Sequence, residues 1–216
     1  MHAARLLAVA IAVLAWPSIA HADPSPTQQI TTVAVGSHGQ AVNGYRETPP
    51  DGNIAVVDDC GTPSPSAVAD NVYACSPSAA GAATCWPSTP GSLLCVDDPW
   101  EHRLHRVAYR GQLSPVQAPS SPQPFALQLD DGTRCLIRNG GAWGSRDDGY
   151  VGAYWCGNSG ASPPVLSPPG AHSFVDTSGP VWTVQVGQLG APGAHFPPPQ
   201  VHAVTSAWFA GDRIPG

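Results

Sequence analysis

Ser159 stands between small residues in Gly157-Asn158-Ser159-Gly160-Ala161, a setting in which a serine hydroxyl can be presented as a nucleophile. Such a hydroxyl needs a histidine to take its proton and a carboxylate to orient that histidine. His38, in Ser37-His38-Gly39, and the acids Asp58, Asp59, Asp97 and Asp98 have no spacing that marks them for those tasks. The run also has the composition of a turn, so no catalytic residue is assigned, and a secreted serine hydrolase with Ser159 as nucleophile is the alternative function.

His102 and His105, three apart and close to Asp97, Asp98 and Glu101, could offer nitrogen and oxygen ligands to a divalent ion. A zinc site needs three or four convergent ligands, and Arg103 and Arg106 bring opposing charge into the same stretch, so a solvated, salt-linked segment is expected. His195 and His202 carry no partner motif and are left on the surface. The pairs Asp58-Asp59, Asp97-Asp98, Asp130-Asp131 and Asp147-Asp148 recur around predicted strands, two of them followed by glycine. Asp-Gly is tight-turn chemistry, and none of these loops has the alternating acids of a calcium loop. No metal and no cofactor is expected.

A binding surface is the better case. Trp86, Trp100 and Trp143 stand beside proline or glycine in turns, where an exposed ring could stack on a sugar or a peptide. Trp182 and Trp208 fall in alternating strand patterns and are assigned to the core.

The elements that must hold these residues are strands. Short β-branched or aromatic runs at 30–35, 54–57, 72–75, 93–96, 106–109, 125–129, 135–137, 151–156, 173–175, 181–186 and 201–209 alternate with turn residues, the pattern of an all-β protein built from short antiparallel strands. Helix signals are poor, and residues 100–107 would make one or two turns at most. The six cysteines, Cys60, Cys75, Cys85, Cys95, Cys135 and Cys156, form an even set, so three disulfides are the default. Cys135 and Cys156 flank Asn139-Gly140-Gly141 and Asp147-Asp148-Gly149, which places them on neighbouring arms of a long hairpin, within bridging reach. Cys60–Cys75 and Cys85–Cys95 are then favoured by proximity alone.

Arg5, the apolar run Leu6 to Trp16 and the small-x-small step Ala20-His21-Ala22 read as a secretory signal peptide cleaved after Ala22. The run is too short and too soon interrupted by Pro17 and Ser18 for a membrane span, so no span is expected after cleavage. The resulting order is a signal peptide at 1–22, a flexible lead at 23–29, an N-terminal β unit at 30–112, a Pro-rich linker or crossing loop at 113–124 and a C-terminal β unit at 125–216. A formal charge of -6 without a basic cluster argues against a nucleic-acid partner.

Two resemblances can be stated. The Gly157–Ala161 run resembles the Gly-Asp-Ser-Gly segment around the nucleophile of chymotrypsin-like proteases, with Ser159 in the nucleophile's place, but His38 lacks the Ala-Ala-His-Cys context of that family. More of the chain is involved in the second. Cys75-Ser76-Pro77, Cys85-Trp86-Pro87, Leu94-Cys95-Val96-Asp97-Asp98-Pro99-Trp100, Asp131-Gly132-Thr133-Arg134-Cys135, Tyr154-Trp155-Cys156 and Ala207-Trp208-Phe209 resemble segments of the exported, Cys-containing hypothetical proteins of mycobacteria and related actinobacteria. That resemblance implies export and an envelope context and assigns no activity. The expected function is a non-enzymatic binding or structural module, secreted or in the cell envelope, with an envelope glycan or protein as partner.

Overall fold

The computed structural model describes residues 25–50, 52–157, 162–171 and 173–212. The expected signal peptide lies outside the described residues. In chain order the first half forms β1 (Gln28–Thr32), β2 (Arg46–Glu47), β3 (Ala55–Val57), β4 (Asp59–Pro63), β5 (Tyr73–Ser76), β6 (Cys85–Pro87), β7 (Ser92–Asp98) and β8 (Arg103–Tyr109). The second half forms β9 (Ala126–Leu129), β10 (Arg134–Ile137), β11 (Val151–Cys156), β12 (Val165–Ser167), β13 (Trp182–Val186) and β14 (Gln200–Ala210). The protein is all-β.

Strands β9 to β14 run as an antiparallel meander, and β14 closes the sheet by pairing with β9 through Ala207↔Leu127 and Trp208↔Ala126. The result is a six-stranded barrel, whose closure removes the edges that an open sheet would expose. Register shifts at Gly152/Tyr154 and Val204/Ser206 supply the bends that closure needs. Leu127, Leu129, Tyr154, Val165, Val184 and Val204 fill the interior. Strands β4 to β8 form a second antiparallel meander, with β2 and β3 added in parallel along β8.

β1 departs from the sequence division. Ile30 to Thr32 fall in the expected N-terminal unit, and Gln28 and Gln29 in the expected flexible lead, but all five residues pair in parallel with β14, from Gln28↔Ser206 to Thr32↔Ala210. Thr27 fastens this strand, since its buried hydroxyl donates to Val204 O at 2.7 Å and accepts from Trp182 N at 2.7 Å. The halves also share a core, in which Ala34, Val72, Trp86 and Leu104 meet Phe125, Ala126 and Ala210. The 113–124 stretch crosses over the first half: Val116 O accepts from Asn71 N, and Gln123 N donates to Pro65 O.

In line with the poor helix signal, residues 100–107 make no helical turn; Asp98 Oδ1 accepts from Trp100 N and Glu101 N, His102 takes φ 51°, and the chain reverses directly into β8. One local expectation is corrected. Residues 173–175 make no strand, because Ser173 Oγ donates to Val175 O and accepts from Val175 N, closing a local turn in place of a ladder.

The disulfides are Cys60–Cys75, Cys85–Cys95 and Cys135–Cys156, the pairings favoured on sequence. The second and third join directly opposed residues of β6/β7 and β10/β11. Three disulfides fit an oxidising, extracellular setting. Among the described residues, no helix is long and apolar enough to cross a membrane.

Candidate functional site

The barrel interior reaches the surface where β9 and β13 begin and β14 ends. Val175 and Phe209 belong to the barrel core, and Trp182 packs against it. The Trp182 and Phe209 rings meet edge to face at 6.2 Å, which forms the floor of an open cleft of about 490 Å³. One wall is the exposed side chains of Gln29 and Thr31 from β1. Val68 and the 121–124 segment also line it, and the exposed Ser173 and Thr177 form its rim.

Each part is held from behind. The Thr27 hydroxyl positions Trp182 through its backbone N–H. Tyr154 donates its buried hydroxyl to Pro124 O at 2.8 Å, and burial pushes that phenol far above its ordinary range, so it remains a donor. Ser173 shapes the rim through its turn, while Asp176, which does not line the cleft, accepts from the Ser178 N–H, which holds its carboxyl below the usual carboxylate range.

The cleft brings together two aromatic rings, two valines and neutral hydroxyl and amide groups, and among the described lining residues there is no charged side chain, histidine or cysteine. A hydroxyl without a neighbouring base is a weak nucleophile, so these groups are suited to holding a ligand by stacking and neutral hydrogen bonds. Barrel mouths are recurrent ligand sites for this reason: apolar floor, few polar groups, partial exclusion of water.

The aromatics singled out on sequence fall in three different environments. Trp86 is corrected from a surface ring to a core one: it is 0% exposed, and its Nε1–H donates to Gly211 O at 2.8 Å. Its place in β6 opposite Leu94 turns the ring into the shared core despite the following proline. Trp100 is half-buried, edge to face with Trp208 at 5.6 Å and beneath the Arg134 guanidinium at 5.3 Å. Trp143 lies on Gly152 on the outer barrel face, edge to face with Trp155 at 5.4 Å, with Arg138 over it at 5.1 Å. Trp155 is the more open of that pair, at 50% exposure. Sequence reasoning missed Trp182 by assigning it wholly to the core; its position two residues after Pro180, where a strand starts at a barrel rim, was the available signal.

The charged candidates resolve into ion pairs and turns. Arg103 joins Asp97 and Asp98, while His105 Nε2 lies 3.0 Å from Ala80 O and the His102 ring packs on Tyr45, so the two histidines do not converge. His195 and His202 do have partners, at 2.8 Å from Asp147 and 2.9 Å from Asp130. Asp130, Asp131 and His202 place one ligand atom each within 4.8 Å of one another. Their carboxylates are committed to the turn: Asp130 accepts from Ala203 N, and Asp131 from Thr133 N, which holds its carboxyl below the usual range. Three such groups fall short of the roughly six to eight oxygens that calcium takes.

Arg146 had no sequence signal. Its side chain is 0% exposed, pairs with Asp148 at 2.6 Å, donates to the carbonyls of Gln188 and Pro197, and lies between the rings of Tyr150 and Phe196. It ties the β10–β11 loop to the Pro-rich loop before β14. Ser159 lies outside the described residues; Gly157, at φ 78°, leads out of β11 as a turn glycine does. No family model, curated protein or solved structure matches the chain.

Proposed function

We propose that the protein is an exported, non-enzymatic binding module, and that the mouth of its barrel holds an uncharged ligand from the cell envelope or its surroundings. The observation that carries this is the lining of the cleft. In a chain with a formal charge of -6, an aromatic floor and a neutral polar rim come together without an acid, base or thiol among the described lining residues. A charged ligand entering there would lose water without gaining a counter-charge, whereas a neutral one gains apolar contact and hydrogen bonds. The signal-peptide pattern, the disulfides and the resemblance to exported mycobacterial and related actinobacterial proteins support an extracytoplasmic site of action.

The test is an NMR screen of the mature chain, residues 23–216, with paired fragments that differ only in a charged or a neutral group. Neutral fragments should shift the Trp182 indole and the Val175 and Thr177 amides, with affinity insensitive to salt. Preferential binding of the charged members at those signals would contradict the proposal. Export is tested separately by sequencing the N-terminus of secreted protein, which should begin at Asp23; recovery of only the Met1 form, inside the cell, would contradict it.

A further inference from the structure

We infer that the ligand of this cleft is an extended, uncharged peptide segment that adds itself as a strand to the open edge of β1. The inference rests on the reading of the cleft as the binding surface and deepens it.

β1 is the terminal strand of its sheet and pairs only with β14 among the described residues. Gly211 N donates to Thr32 O at 2.8 Å, which sets the phase of the parallel ladder at Thr32↔Ala210. Backbone groups alternate in direction along a strand, so Ile30 and Thr32 address β14, while Gln29 and Thr31 turn their N–H and C=O groups to the other side. No backbone or side-chain bond to those outward groups occurs among the described residues. Gln29 and Thr31 are also the β1 residues that line the cleft.

An unpaired strand edge beside an apolar cleft is the arrangement by which peptides bind through strand addition, with main-chain bonds giving affinity and alternate side chains entering pockets. Here an incoming strand would bond Gln29 and Thr31 and direct every second side chain to the face that holds Trp182 and Phe209. Those side chains are apolar and the intervening ones neutral, because the cleft offers no counter-charge.

The probe is acetyl-Thr-Leu-Thr-Leu-Thr-amide, compared with the same peptide N-methylated at every amide and with cellopentaose. The unmethylated peptide is expected to shift the Gln29 and Thr31 amides together with the Trp182 indole, and methylation to weaken binding at least about tenfold by removing its donors. Thr31→Pro, which removes an N–H pointing away from β14, should abolish binding with the barrel signals unchanged; proline is tolerated at such edge positions. Equal binding of the methylated peptide, or Trp182 shifts without Gln29 and Thr31, overturns strand addition whatever the proline variant does. Binding of cellopentaose alone overturns the peptide inference and leaves the cleft proposal standing. Absence of any Trp182 response to peptide, sugar or neutral fragments overturns both.

Discussion

Gly152→Ala separates a steric requirement for glycine from a conformational one. Gly152 is not among the glycines of positive φ, so its backbone suits any residue, and in open space alanine would stabilise the fold by about 0.4–1 kcal/mol through the unfolded chain. The space is not open: a Cβ there would lie 2.6 Å from Trp143 Cζ3 and 3.0 Å from Cδ2, and closer still to Cε3. The indole must leave its seat, giving up the edge-to-face contact with Trp155, the Arg138 stacking and the Nε1–H bond to Gly140 O. These contacts together are worth about 1.5–4 kcal/mol, so the expected sign is destabilising. Urea unfolding of the wild type, Gly152→Ala, Trp143→Ala and the double variant measures it. In the Trp143→Ala background the added methyl should cost nothing or stabilise slightly. A Gly152→Ala protein as stable as wild type, or an equal loss with and without the Trp143 ring, would refute the seating of that indole on β11.

Replacing both Cys135 and Cys156 with alanine opens a bridge across a sequence separation of 21 and should cost about 3.3 kcal/mol by loop closure, read as a lowered urea midpoint. A loss below about 1 kcal/mol would show that the bridge does not constrain the unfolded chain. The Glu47 carboxyl is held below its ordinary range, chiefly by its hydrogen bond to Arg106, and Asp148 likewise by Arg146. A lowered folded pKa gives stability that is present above the unfolded value, about 4, and is lost as pH falls through the folded one, so Tm should hold at pH 5–7 and drop below about pH 4. Glu47→Gln should reduce that acid-side drop, and an unchanged drop would remove Glu47 from its causes. For Asp130, Asp131 and His202, about 1 mM calcium or chelator should leave Tm unchanged, and a rise of several degrees with calcium would make the cluster a cation site.

The features legible in the sequence were those written locally. Strand β11 matched its short run at 151–156, and the Cys135–Cys156 pairing followed from one hairpin. What escaped depends on distant partners. The parallel pairing of Gln28 with Ser206 leaves no mark in the β1 segment, and burial of Trp86 depends on Gly211 at the far end of the chain. Arg146 looks like any turn arginine until the Gln188 and Pro197 carbonyls converge on it. At 173–175 local pattern misled, because the Ser173 hydroxyl competes for the backbone groups that a ladder would use. Trp182 was half legible: its strand was plain, but its place at the rim follows only from barrel closure.

The barrel mouth as the binding surface is tested most directly by blocking it. All six cysteines are paired, so Thr177→Cys, at the exposed rim, introduces a single thiol for a bulky neutral maleimide, and Val151→Cys does the same at the exposed start of β11. Labelling at 177 should abolish binding of neutral fragments without changing Tm, while labelling at 151 leaves binding intact; loss of binding only on labelling at 151 would place the surface at the start of β11 and contradict the account.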